Sequence, residues 1–153
     1  MVLVIVANGA PVVVRNLVSD RWAWPVDAGH SLPDGHRLFG ASKTWRGIIS
    51  ACLAAAVTAP LLGLPALTGL AAGALAMLGD LSASFAKRRL AYPSSAHSPL
   101  LDSLPEILVP AIALRGTLAL SWLEVLIAAV VFHVLVHVAS PLLYRLHIRR
   151  RPW

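Results

Sequence analysis

Two uncharged apolar stretches, residues 47–62 and 66–78, meet at the tight turn Gly63-Leu64-Pro65, and two more apolar runs, 100–114 and 121–146, follow them. Runs of this kind constrain the fold more than any other feature. In a hydrocarbon environment every backbone N–H and C=O must find its partner internally, which leaves helices and closed barrels as the only spanning structures. The length of the runs and their lack of strand alternation select helices. Of the 153 residues, 58% are hydrophobic and 13% charged, against about a quarter charged in soluble domains, and mean hydropathy is +0.73. About five spans of some 20 residues use roughly 100 positions. The expectation is an all-α integral membrane protein of about five transmembrane helices, with residues 1–153 forming a single domain and no room for a second.

The first helix is expected to be short or truncated. Residues 1–14 are apolar but hold Asn8, Gly9 and Pro11, and residues 2–7 are too short to cross a bilayer. A half-membrane helix ending at Asn8-Gly9, or a segment continued from upstream, fits that pattern. No signal peptide is read here, because Arg15 follows the apolar stretch instead of preceding it. Residues 15–46 are polar and rich in turn residues, with Trp22, Trp24 and Trp45 suited to an interface. They read as a long loop at one membrane face. The second uncharged stretch is expected to continue as helix past Asp80 to Leu90.

Net charge is +6, from 13 Lys and Arg against 7 Asp and Glu. If the helices alternate in direction, the first loop, residues 87–89 and the C-terminus share one side and carry twelve of the thirteen cations, Arg115 being the exception. The positive-inside rule places that side in the cytoplasm, making this a multi-pass protein of the cell membrane with a long cytoplasmic loop. Because the cations follow the membrane face, they face lipid headgroups and no nucleic acid is expected. The single cysteine, Cys52, excludes an intramolecular disulfide, a CxxC pair and a cysteine-rich zinc site.

The same side gathers the candidate chemistry. Asp80, Ser84, Lys87 and Arg88 recur at three- and four-residue steps and share one helical face. A carboxylate there holds Mg²⁺, a hydroxyl assists and two cations bind phosphate oxygens; the bland reading is a topological anchor with Asp80 paired to one of the cations. Ser42-Lys43-Thr44-Trp45-Arg46-Gly47 puts lysine, hydroxyls and arginine before a helix start, where free amides favour anions, or else forms a basic juxtamembrane anchor. It is not a P-loop, since Ala41 and not lysine follows Gly40. Ionisable groups near hydrocarbon are costly, which makes Asp80 and Asp102 functional candidates. His133 and His137 face one way, four residues apart, without the Glu of an HExxH site, and a hydrogen-bonding or packing role across helices is the expected one. His97, Glu124 and Asp20 are read as loop or interface residues.

These elements resemble a known family, the membrane CTP-dependent cytidylyltransferases comprising CDP-diacylglycerol synthases and the smaller CDP-archaeol synthases. Asn8-Gly9-Ala10-Pro11, Pro25-Val26-Asp27, Asp34-Gly35, Ser42-Lys43-Thr44-Trp45-Arg46-Gly47 and Gly79-Asp80-x-x-x-Ser84-Phe85-x-Lys87-Arg88-Arg89 are similar to the CDP-archaeol synthase series in order and spacing, over most of the chain. Ala83 stands where the bacterial diacylglycerol enzyme carries Glu, and Pro105 where the family places a second Asp three residues after Asp102; Glu106 lies one position further on. The resemblance implies transfer of CMP from CTP to a membrane lipid phosphate, yielding a CDP-lipid and pyrophosphate. It implies Mg²⁺ as cofactor, held by Asp80 and Asp102 with Glu106 as a further ligand. It implies Asp80, Asp102 and Lys87 as catalytic, Lys43, Lys87, Arg88 and Ser84 as phosphate contacts, and Asn8, Asp27, Ser42 and Thr44 as shaping the nucleotide pocket. CTP, the lipid phosphate and the bilayer are then the partners, and a homodimer is left open.

Two alternatives stand beside this. One is a catalytically inactive relative that binds lipid headgroups or a partner, consistent with the missing second Asp. The other is a CDP-alcohol phosphotransferase, but Asp34-Gly35-His36-Arg37 does not continue into that family's DG-x-x-AR run.

Overall fold

The computed structural model describes residues 1–19, 21–93, 96 and 98–145. Asp20, His97 and the Arg149 to Arg151 cluster lie outside the described residues. Five helices follow in order: α1 Val2–Val18, α2 Trp45–Leu61, α3 Ala66–Arg89, α4 Pro99–Ala113 and α5 Trp122–Arg145. Among the described residues there is no strand, only two isolated bridges, Pro25 with Thr44 and Ser31 with Arg37.

α3 is the hub and packs on α1, α2 and α4, while α5 docks principally on α4. Small side chains make this close packing feasible. Gly69 and Gly73 lie four residues apart on α3 and face Ala51, Ala55 and Ala59 of α2, each with no exposed surface. A Cβ on Gly69 would run into the Ala55 carbonyl oxygen, and one on Gly73 would sit 2.9 Å from the Cys52 Cα. Without a hydrophobic drive between helices in lipid, such backbone approach supplies the van der Waals contact that holds them.

The outward faces are apolar and the interior holds the polar groups. Leu61 is 82% exposed, Leu67 and Val57 72% and Val138 69%, whereas Asp27, Ser84, Lys87, Arg88, Ser103 and Glu106 are buried. Water would favour the reverse distribution, and lipid suits this one. By length and hydropathy α3 and α5, 24 residues each, are long and apolar enough to cross a membrane; α1 and α2 are shorter apolar helices of 17 residues.

α1 corrects the expectation of a helix ending at Asn8-Gly9. It continues through Gly9-Ala10-Pro11 to Val18, roughly 26 Å at 1.5 Å per residue. Glycine costs a helix about 1 kcal/mol and proline about 3, but tertiary contacts offset both. Leu3, Val4 and Ala7 are buried against the core, and the Asn8 amide donates to Glu106 of α4 at 2.7 Å. Gly9 meets no atom within 4 Å of a notional Cβ, so no other element forces a break there. As expected, α3 runs unbroken through Asp80 to Arg89, and the described residues between α1 and α2 form no helix.

Candidate functional site

A cavity of about 770 Å³ opens between the segment around residues 39–48, α1, α3, the start of α4 and the second half of α5. Volumes of this size suit a nucleotide-sized ligand. α3 contributes Asp80, Ser84, Lys87 and Arg88 to its wall, as helical spacing requires. Ser42, Lys43 and Thr44 face them from the loop, Asn8 from α1, and Asp102 and Glu106 from α4. Ten of the eleven residues singled out in the sequence thus meet in one place. Asp27 does not line it.

The Gly-Asp dipeptide explains how α3 and α4 come together. A Cβ on Gly79 would collide with the Pro105 carbonyl oxygen and lie 2.9 Å from the Glu106 nitrogen. Bare glycine lets the α4 backbone pass against α3 and sets Glu106 and Asp102 beside Asp80. Pro105, where the family pattern has a second Asp, is therefore the residue on which Gly79 packs.

Two lysine–aspartate pairs span the cavity. Lys43 Nζ donates to both carboxylate oxygens of Asp80 at 2.6 Å. Lys87 pairs with Asp102 and also donates to the Ala96 carbonyl at 3.2 Å. Asp102 is steadied by the Ser98 N–H, which it accepts at 3.0 Å in the first turn of α4, where the helix dipole favours negative charge. Desolvation would lower the pKa of Lys43, but the charge and hydrogen bond of Asp80, reinforced by Glu106 and Asp102, outweigh it and raise the value above 10.5. Lys43 is cationic at any physiological pH and is the point where three carboxylates converge electrostatically.

The loop that carries Lys43 is organised by Asp27. Its carboxylate accepts N–H bonds from Gly29 at 3.1 Å, Phe39 at 3.2 Å and Gly40 at 2.9 Å, and pairs with Arg37. Burial alone would raise its pKa; these four donors, Arg37 foremost, hold it far below the usual carboxylate range. Asp27 thus shapes the site from behind. The Val26 N–H then donates to the Lys43 carbonyl at 2.8 Å, and Thr44 caps α2 by accepting from the Gly47 N–H at 3.2 Å.

The structure adds residues that sequence reasoning did not assign to the site. Arg15, His137 and Ser140 line the same cavity. On α5, the His133 ring bonds Ser103 of α4 at 2.6 Å, and the His137 Nδ1–H donates to the His133 carbonyl at 2.9 Å. His133 therefore joins α5 to α4, a hydrogen bond across helices as expected, while the His137 bond stays within α5. The three-to-four-residue spacing of His133, His137 and Ser140 was the available signal for a polar α5 face.

The donor chemistry fits a hard divalent cation. Asp80 and Asp102 offer oxygen ligands on one cavity, and each is currently neutralised by an ammonium group. Mg²⁺ characteristically uses one or two carboxylates plus substrate phosphates and waters. Consistent with so sparse a set, no group of three or more His, Cys, Asp or Glu poised around a common point occurs among the described residues.

Comparison with known proteins identifies the family. A family model described as CarS-like, CDP-archaeol synthase, matches residues 5–74 and 66–153. The CDP-archaeol synthase of Pyrobaculum arsenaticum is 39% identical over 97% of this chain and 92% of its own. That of Aeropyrum pernix is 33% identical over 100% and 88%. The solved structure of an intramembrane enzyme for archaeal membrane lipids biosynthesis aligns with a TM-score of 0.73 at 31% identity, covering 93% of this chain and 90% of that one. The chain belongs to the CDP-archaeol synthase family.

Proposed function

We propose that the cavity is where CMP passes from CTP to a membrane lipid phosphate, forming a CDP-lipid and pyrophosphate. The chain is a CTP-dependent cytidylyltransferase, and the relatives it matches lend no support to the inactive alternative. The observation that carries the reading is the Lys43–Asp80 pair and the Lys87–Asp102 pair lining one cavity: two cations for phosphates and two carboxylates for a metal.

An oxygen of the lipid phosphate attacks the α-phosphorus of CTP, a new P–O bond forms, and the bond to the bridging oxygen of the departing pyrophosphate breaks. That phosphate is already anionic at neutral pH, so no side chain need remove a proton. Lys43, Lys87 and Arg88 hold phosphate oxygens, Ser84 adds a hydroxyl, and Asn8, Ser42 and Thr44 border the nucleotide with Asp27 behind them. Asp80 and Asp102, with Glu106 as a further oxygen donor, would hold Mg²⁺, which when bound would neutralise charge that otherwise keeps two anions apart. Orientation of both substrates in one cavity supplies the rest of the advantage.

Membranes bearing the protein, labelled CTP and a panel of diether and diacyl lipid phosphates test this directly: label should enter the lipid fraction only when a lipid phosphate is present. Absence of incorporation with every acceptor would overturn the reading.

We also place residues 1–153 as one unit crossing the cell membrane with all five helices, the long loop and the cavity facing the cytoplasm. In a Cys52→Ser background, Ser31→Cys should escape a membrane-impermeant maleimide in intact cells, while Gly116→Cys should react. The opposite labelling pattern sinks this topology.

A further inference from the structure

Lys87, Arg88 and Arg89 end α3, yet only the first two line the cavity. One residue further around a helix is a turn of about 100°, and that turn takes Arg89 away from the cavity to the outside of the loop. There its guanidinium meets four groups at once. Nη1 pairs with the Asp34 carboxylate, and Nη2 donates to the Arg37 carbonyl at 2.8 Å and the His36 carbonyl at 3.2 Å. The same group lies 5.1 Å from the centre of the Phe85 ring, which in turn contacts Phe39 with ring centres 6.5 Å apart. Asp34 is pre-set for its part, since its other oxygen accepts the His36 N–H at 3.0 Å.

Each contact is modest, because Asp34 is 41% exposed and exposed pairs contribute little alone. Their convergence is what matters. The clamped stretch, residues 34–39, is the one whose Arg37 and Phe39 bind Asp27, and the Asp27 node is tied through Val26 to the Lys43 carbonyl. A chain of fixed contacts therefore runs from the last residue of α3, through the loop, back to the ammonium group on Asp80.

We propose that Arg89 is a positioning residue that clamps the 34–39 segment to α3 and thereby holds Lys43 in register with Asp80 before CTP binds. Its effect on CTP rests on the functional reading above. When the clamp is lost, the binding-competent loop arrangement is only fractionally populated, and apparent affinity falls by that fraction while the saturated enzyme is restored. Arg89→Gln should therefore raise the KM for CTP about tenfold and leave kcat within about twofold. Arg89→Lys keeps the charge without the two-pronged fork and should fall between. Asp34→Asn should shift KM in the same direction. A substitution that merely lowered the folded fraction would cut the maximal rate and leave KM unmoved.

Hydrogen exchange of the full-length protein in lipid nanodiscs supplies a readout independent of turnover. In Arg89→Gln the Gly29, Phe39 and Gly40 amides should exchange about fivefold faster, with α2 and the Gly69 to Gly79 stretch of α3 unchanged. Unaltered loop exchange, or a fall in kcat with KM constant, overturns the clamp. Absence of CTP turnover in the unsubstituted protein would overturn the functional reading instead, and the exchange experiment would still decide the clamp by itself.

Discussion

Asp80→Asn is expected to cut CTP-dependent labelling of lipid phosphate by a hundredfold or more while leaving the protein folded in the membrane. Asparagine keeps the size and one carbonyl oxygen of the aspartate but removes the charge. That charge attracts the Lys43 ammonium at 2.6 Å from both oxygens, and in the proposed reaction it also holds the divalent cation. Loss of such a ligand forfeits several kcal/mol of transition-state charge stabilisation, and a hundredfold in rate corresponds to about 2.7 kcal/mol. The stability cost should be far smaller. The Lys43 and Asp80 side chains remain 25% and 22% exposed, and pairs with partial access to water contribute about 1 kcal/mol or less. Rate and thermal midpoint should therefore separate: the first collapses and the second shifts by a few degrees at most. An Asp80→Asn variant with near-normal transfer would remove Asp80 from the site and the metal-and-phosphate reading with it.

The sequence showed the α3 face clearly because helical periodicity alone places Asp80, Ser84, Lys87 and Arg88 on one wall. It showed the loop lysine because Ser42-Lys43-Thr44 precedes an apolar helix. Three things escaped it, each because the deciding contacts are distant in the chain. Asn8 and Pro11 read locally as helix breakers, yet packing of Leu3, Val4 and Ala7 and the bond from Asn8 to Glu106 carry α1 straight through them. Asp27 is singled out only by the family resemblance, as a pocket residue, and what escaped is its position: the folded loop converges four donors on it and makes it a scaffold behind the cavity. Arg89 reads as the third member of a basic run; periodicity takes it off the Asp80 wall, but nothing local shows that Asp34 and the His36 and Arg37 carbonyls wait for it there. Periodicity assigns residues to faces of their own element, whereas these three are defined by what another element presents to them.

Gly79→Val should produce the largest loss of stability of any single substitution at the site, and for a reason separate from charge. The α3–α4 contact has the Pro105 carbonyl oxygen and the Glu106 nitrogen in the space a Cβ would occupy. These are backbone atoms of a packed helix, so they cannot rotate out of the way as a side-chain tip does. The helices must part, and the cavity loses the juxtaposition of Asp80 with Asp102 and Glu106. Overpacking a close contact costs about 1–3 kcal/mol and more when the backbone has to move, and a side chain whose Cβ already collides with backbone belongs at the upper end. We expect a lowered thermal midpoint in detergent together with a fall in cytidylyl transfer, in contrast to Asp80→Asn, where only transfer falls. Gly9→Ala is the matched control. It also replaces a helical glycine beside a motif residue, but its notional Cβ meets nothing within 4 Å, and alanine's higher helix propensity should stabilise α1 by up to about 1 kcal/mol. If Gly79→Val and Gly9→Ala proved equally tolerated, close approach of α4 would not be the reason that a glycine precedes Asp80, and the route by which α3 and α4 bring their carboxylates together would need a different physical basis.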